Sequence, residues 1–167
     1  DGIHSTRASA VLLPPSQLDW LTDVVGHVEA TGLGRKLVHV LDREADSVTL
    51  YRQWDAAGRL FLIRADDNRI VLHKGREIRL SELAASVHAQ GTLTRAGNVN
   101  LHGQDVGHWV GEGSVVLHRR AMQHRVVDGK ARHVLIPGAP LTLRLVVSEL
   151  RDEHGEVLIR WLLLTNL

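Results

Sequence analysis

Residues 37–46 combine an apolar run with three closely spaced carboxylates, Asp42, Glu44 and Asp46. The first five residues of this segment have the length and composition of a buried strand. An acid at the carboxyl end of such a strand lies where α/β sheets bind ligands and metals. Asp42 is therefore a candidate ligand for a divalent cation held over a phosphate.

The same three acids also have a purely structural interpretation. Carboxylates at the start of a helix accept hydrogen bonds from unpaired backbone N–H groups and complement the helix dipole. A charge-rich, helix-like segment follows Asp42 directly. From the residues alone, capping and metal binding both remain open.

Other kinds of site find less support. No two of the eleven histidines have the i, i+4 spacing of a zinc-binding helix, and the chain has no cysteine. No Gly-x-Ser-x-Gly motif marks a nucleophilic serine. Residues 32–34 are too short for a dinucleotide-binding loop, and they precede a strand instead of following one. Trp161 fits either a core position or a platform on which an unpaired base stacks.

Composition limits the class of protein. The 167 residues are 44% apolar with a net charge of +1, and no run approaches the roughly 20 apolar residues of a membrane span. The beginning of the chain has no signal-peptide pattern, and the absence of cysteine fits a reducing compartment. These features predict a cytoplasmic protein without a membrane partner.

The charge is unevenly distributed along the chain. Residues 1–67 hold 7 Lys/Arg against 10 Asp/Glu, whereas residues 68–167 hold 13 against 9. The basic excess is greatest within residues 118–133, where Asp128 faces five cations, Arg119, Arg120, Arg125, Lys130 and Arg132. An acidic half beside a basic half suits a protein that handles phosphodiesters, and a merely solvated basic hairpin is the alternative.

Hydrophobic periodicity divides the chain into two parts. Apolar residues recur at helical spacing in residues 16–30 and 44–57, and these segments alternate with strand-like runs at 37–41 and 60–63. This alternation predicts a parallel α/β core within residues 1–67. Residues 8–13 form a further short apolar run. Within residues 68–167 the pattern predicts a mostly antiparallel β module with one short helical segment at 81–85. Its strands are expected at 69–72, 76–80, 91–95, 106–110, 114–118, 124–127, 132–136, 141–147 and 157–164. The dipeptide Asp128-Gly129 predicts a tight hairpin turn.

Three segments resemble one known family. The pentapeptide at 42–46, Asp-Arg-Glu-Ala-Asp, resembles the signature around the second catalytic Asp of bacterial insertion-sequence transposases, which are cut-and-paste enzymes of the DDE, ribonuclease-H-like type. Residues 60–64 look like the next core strand of that family. Residues 161–165, Trp-Leu-Leu-Leu-Thr, look like the strand that closes its β insertion. The resemblance covers residues 37–167.

The resemblance implies a fold and a function. It implies a partial ribonuclease-H-like core with an inserted β-sheet module, and DNA cleavage and joining at transposon ends by two-metal phosphoryl transfer. Asp42 would ligate Mg²⁺ or Mn²⁺, and Trp161 would stack on a flipped base. By resemblance, Arg64 would contact the backbone of double-stranded DNA, and Arg69 is the basic residue of the loop that follows it. The excess of positive charge adds four candidate DNA contacts, Arg119, Arg120, Arg125 and Arg132. The parent protein would work in the bacterial cytoplasm, where it could form a homodimer on DNA.

The resemblance also implies that this chain is an internal fragment. The other two catalytic acids of the family are expected outside it, so that the chain alone would be inactive. One alternative is a transposase-derived DNA-binding module whose catalysis is lost. Another is a β-rich protein-interaction domain with no role in nucleic-acid binding.

Overall fold

The computed structural model of the chain describes residues 17–32, 36–127 and 130–167, and for residues 17–19, 122–127 and 130–133 it describes the backbone alone. The apolar run predicted at 8–13 lies outside these ranges. None of the helices in the described ranges is long and apolar enough to cross a membrane.

The described residues form three α-helices, one 3₁₀ turn and ten strands. The helices are α1 (Gln17–Ala30), α2 (Val48–Ala56) and α3 (Leu80–Ala89), and the 3₁₀ turn is Arg43–Ala45. The strands are β1 (Val38–Leu41), β2 (Leu60–Arg64), β3 (Ile70–His73), β4 (Arg76–Arg79), β5 (Thr94–Leu101), β6 (Gln104–Leu117), β7 (Ala121–Val127), β8 (Lys130–Ile136), β9 (Leu141–Arg151) and β10 (Val157–Thr165).

Eight of the strands form one mixed sheet. Seven are ordered β1-β2-β10-β9-β6-β3-β4, β5 pairs with β6, and β7 and β8 form a separate hairpin. Strands β1 and β2 are parallel, as predicted, and the other paired strands are antiparallel. The chain thus has an α/β fold with a mostly antiparallel sheet. The predicted boundary near residue 67 falls between β2 and β3, and the sheet runs across it because β10 pairs with β2.

The main core lies on one face of this sheet. Because side chains alternate along a strand, Phe61 and Ile63 of β2 are buried together on this face. Helix α2 supplies Tyr51 and Trp54, whose ring centroids lie 5.5 Å and 6.4 Å from the ring of Phe61. The opposite face is more open: Val40 of β1 has 71% of its surface exposed. We call this the open face. It carries those residues of β1, β2 and β10 that alternate with the core-facing ones.

Several predicted boundaries are wrong. The second helix begins at Val48, because a 3₁₀ turn and two linking residues separate it from Asp42. The helical segment predicted at 81–85 extends over ten residues, since Leu80, Leu83 and Ala84 bury one side of α3. The two strands expected at 106–110 and 114–118 are one continuous strand, β6, because β9 pairs with it without interruption from Gly107 to Leu117. Strand β5 begins at Thr94, later than the run predicted at 91–95, and is almost entirely exposed.

The hairpin predicted around Asp128-Gly129 is confirmed by its flanking strands. Strands β7 and β8 pair in register, with Val127 opposite Lys130. The two turn residues themselves lie outside the described residues.

Candidate functional site

Asp42 lies at the carboxyl end of β1, as the sequence predicts. It is the N-cap of the 3₁₀ turn, and its Oδ1 accepts a hydrogen bond of 2.7 Å from the backbone N–H of Arg43. The capping interpretation is therefore confirmed for this residue. The side chain is nonetheless 73% exposed, so that capping leaves carboxylate oxygen available to solvent or to a cation.

Arg64 lies beside Asp42. It is the last residue of β2, and because β1 and β2 are parallel their carboxyl ends meet at one edge of the sheet. Arg64 Nη1 lies 3.6 Å from Asp42 Oδ1, and the Arg64 side chain is 42% exposed. A long, solvated ion pair of this kind contributes less than about 1 kcal/mol, so either partner can exchange it for another ligand.

Trp161 lies on the same side of the sheet as Arg64. Arg64 pairs directly with Leu163 of β10, and Trp161 is two residues from Leu163 along that strand. Residues separated by two positions share a face, which places Trp161 on the open face at a position diagonal to Arg64. The Trp161 side chain is 38% exposed. Because β10 is antiparallel to β2, Trp161 lies toward the same edge as Asp42.

Asp42, Arg64 and Trp161 together form what we call the strand-end site. It offers one carboxylate, one guanidinium and one aromatic face, all accessible to solvent. Carboxylate oxygens suit Mg²⁺, guanidinium suits phosphate, and indole suits an unpaired base. Within the described residues no group of three or more His, Asp or Glu side chains is arranged to hold a metal ion.

Asp46 has a different role from Asp42. Its side chain is only 3% exposed, and it accepts hydrogen bonds from the Tyr51 hydroxyl at 2.8 Å and the Asp66 backbone N–H at 2.7 Å. Arg69 Nε lies 2.7 Å from Oδ1 and Arg69 Nη2 donates to the Asp46 carbonyl at 2.8 Å. Asp46 thereby joins the loop after β1 to the loop after β2. Burial, and next the charge of Asp46, raise the pKa of Tyr51 well above its usual value.

The predicted DNA contact Arg69 is already engaged by this network. Its side chain is 17% exposed, and the guanidinium lies 5.9 Å from the centre of the Tyr51 ring as well as against Asp46. In this arrangement Arg69 stabilises the loops that follow β1 and β2. Its contact with DNA stays a prediction.

The predicted basic set lies in and before the β7–β8 hairpin. Arg119 is paired with Glu77 at 2.7 Å, and this pairing, followed by a bond to His118, lowers the Glu77 pKa to about 2. Arg120 is exposed. Arg125 and Arg132 occupy directly opposite positions of the hairpin, which brings their backbones together; their side chains lie outside the described residues. The hairpin therefore concentrates basic positions on one element.

One polar cluster was not predicted from the sequence. Glu149 of β9 is fully buried on the core face, where Arg151 and Arg160 each approach its carboxylate to 2.7 Å. His88 Nδ1 of α3 lies 2.9 Å from Oε2, and the Arg151 guanidinium lies 4.8 Å from the centre of the Trp109 ring. A signal was available, because Glu149 continues the inward period-2 series of β9 that includes Leu145 and Val147.

The pKa of Glu149 reflects these contacts. Burial alone raises the pKa of a carboxyl group, because it disfavours the charged form. Hydrogen bonds from His88, Arg151 and Arg160 outweigh that effect, and the pKa of Glu149 is lowered. Glu149 is therefore a buried carboxylate anion held by guanidinium groups from β9 and β10 and by an imidazole nitrogen from α3.

No model of a protein family matches the chain, and no curated protein is significantly similar to it.

Proposed function

We propose that this chain is part of a DDE-type DNA transposase, with a ribonuclease-H-like core and a β insertion. The observation that carries the proposal is the strand-end site: Asp42 and Arg64 lie side by side at the ends of two parallel strands, with Trp161 on the same open face. This combination suits a site where a DNA phosphate and an unpaired base are held together. The resemblance of residues 42–46, 60–64 and 161–165 to that family supports the same function.

The strand-end site suggests how DNA would be held. A phosphate near Arg64 would offer this guanidinium a doubly hydrogen-bonded, charged partner in place of the long contact to Asp42. Asp42 would then be free to ligate a divalent cation, which in the parent enzyme would activate the attacking oxygen and stabilise the leaving one. Trp161 would stack on a base that has left the duplex.

The chain by itself is expected to bind Mg²⁺ weakly. A hard cation takes six or more oxygen ligands, and among the described residues Asp42 belongs to no group of three or more His, Asp or Glu side chains that could hold a metal ion. We expect calorimetry to give a dissociation constant of about 1 mM or weaker, unchanged in Asp42→Asn. Mn²⁺ should behave in the same way. A micromolar site lost in Asp42→Asn would contradict the expectation that further ligands lie elsewhere in the parent protein.

DNA binding by the basic set is the direct test of the proposal. Because each neutralised phosphate releases counterions, we expect affinity for duplex DNA to fall steeply with salt. Replacing Arg119, Arg120, Arg125 and Arg132 with glutamine should reduce the slope of log K against log salt by up to about 3. Fluorescence anisotropy over a salt series measures this slope.

The control for this test uses exposed cations outside the basic set, Lys74 and Arg79. Glutamine at these two positions should leave the salt slope nearly unchanged. A chain that bound DNA without a salt-dependent slope, or not at all, would refute a role in nucleic-acid handling and favour a protein-interaction domain.

A second candidate function is a DNA-binding module derived from a transposase that has lost catalysis. It is favoured by the directly opposite positions of Arg125 and Arg132 on the β7–β8 hairpin. DNA binding by basic residues on a hairpin needs no metal site. The reading frame of the parent protein separates the two candidates. Catalysis requires an earlier strand ending in Asp and a later helix bearing Glu, and the module requires neither.

A further inference from the structure

Trp161 lies on a part of β10 that is held from one side. The pairing of β10 with β2 begins at Leu163, so that among the described strands residues 157–161 pair with β9 alone. The β9 pairing is itself irregular here, because the register shifts between Val157 and Ile159. A bulge of this kind bends the strand, increases its local twist and interrupts the hydrogen-bonded ladder.

Register decides which face the indole occupies. A slip of one residue would turn Trp161 to the core face and bring Arg160 to the open face. Trp161 pairs with Ser148, and the preceding residue Arg160 pairs with Glu149. The Glu149–Arg160 ion pair therefore belongs to the same register as the Trp161–Ser148 pairing and can stabilise it.

The Glu149–Arg160 contact is built to resist such a slip. Arg160 directs both Nε and Nη2 to Glu149 Oε1, each at 2.7 Å. Glu149 is in turn fixed from the other side by Arg151 Nη2 at 2.7 Å and by His88 Nδ1 at 2.9 Å. A one-residue shift of β10 would leave a fully buried carboxylate without one of its two guanidinium partners, which is costly.

We propose that Glu149 and Arg160 are positioning residues for Trp161: their ion pair on the core face holds β10 in the register that presents the indole on the open face. The inference rests on the proposed function, in which Trp161 stacks on an unpaired base. It deepens that function, because the buried cluster then determines whether the stacking platform is in place before DNA arrives.

The test is ¹⁹F NMR of the 167-residue chain labelled with 5-fluorotryptophan. The four tryptophans give four resonances, and Trp161→Phe assigns one of them. In Arg160→Met we expect the Trp161 resonance to split or to broaden by at least about twofold, because the indole exchanges between environments. Arg160→Lys, which keeps a charge near Glu149, should restore most of the wild-type line.

Arg151→Met is the matched control. It removes the other guanidinium from the same carboxylate, but from β9 and beside Trp109. We expect it to shift the Trp109 resonance and to leave that of Trp161 unchanged. An unaltered Trp161 resonance in Arg160→Met, or an equal disturbance in both variants, would overturn the positioning role.

A second measurement separates this inference from the proposed function. The probe is a DNA duplex with one unpaired 2-aminopurine, whose fluorescence falls when the base stacks. Wild type should bind it more tightly than the paired duplex, and Arg160→Met should lose about 10-fold of that preference. A wild type without any preference would refute base stacking by Trp161, while the ¹⁹F comparison would still decide the positioning role.

Discussion

Replacing Asp46 with alanine is expected to lower the free energy of unfolding by about 3 kcal/mol, because it leaves a half-buried guanidinium without its counterion. The side chain is almost fully buried. Its removal takes the counterion from Arg69 and the hydrogen-bond acceptor from the Tyr51 hydroxyl and the Asp66 backbone N–H. Urea denaturation followed by circular dichroism measures the difference.

Asp42→Ala is the matched comparison, four residues away in the same motif. It removes an exposed cap and a 3.6 Å ion pair, so we expect a loss below about 1 kcal/mol. Asp46→Asn, which retains the shape of the side chain, should fall between the two alanine variants. Equal destabilisation by Asp42→Ala and Asp46→Ala would contradict the larger structural contribution expected of Asp46.

Glu149→Gln is expected to cost about 3 kcal/mol near neutral pH, because two arginines lose the anion between them. The difference in the free energy of unfolding between wild type and Glu149→Gln should depend on pH. Since the pKa of Glu149 is lowered on folding, the carboxylate stabilises the fold above its ordinary pKa of 4.5. That contribution is lost as the pH falls from there through the lowered pKa of the folded state.

The measurement is urea denaturation of wild type and Glu149→Gln over a pH series. The two stabilities should converge in acid, with a residual acid dependence in both, because the exposed Glu77 keeps its pKa of about 2 in each. Glu112→Gln is the control, since its 3.3 Å ion pair with Arg144 is exposed and should contribute less than about 0.5 kcal/mol. A constant difference between wild type and Glu149→Gln at all pH values would show that the charge of Glu149 does not stabilise the fold.

The type of most elements could be predicted from local sequence. The parallel strands at 38–41 and 60–64 and the long antiparallel strands at 141–151 and 157–165 follow from apolar runs and period-2 alternation. The position of Asp42 at a strand end follows in the same way, because the apolar run stops there. These features depend on neighbours within a few residues, so that the local sequence is enough to predict them.

Which strands and side chains become partners could not be predicted in this way. Strand β10 pairs with β2, and this pairing places Trp161 on the same face as Arg64. It joins residues about a hundred positions apart in the chain. Asp46 is buried whereas Asp42 is exposed, because Asp46 meets Arg69, Tyr51 and the loop after β2. Glu149 is a buried anion because Arg151, Arg160 of the neighbouring strand and His88 of α3, 61 residues away, surround its carboxylate. Period and propensity are local properties, whereas burial and ion pairing are set by which distant segments pack together.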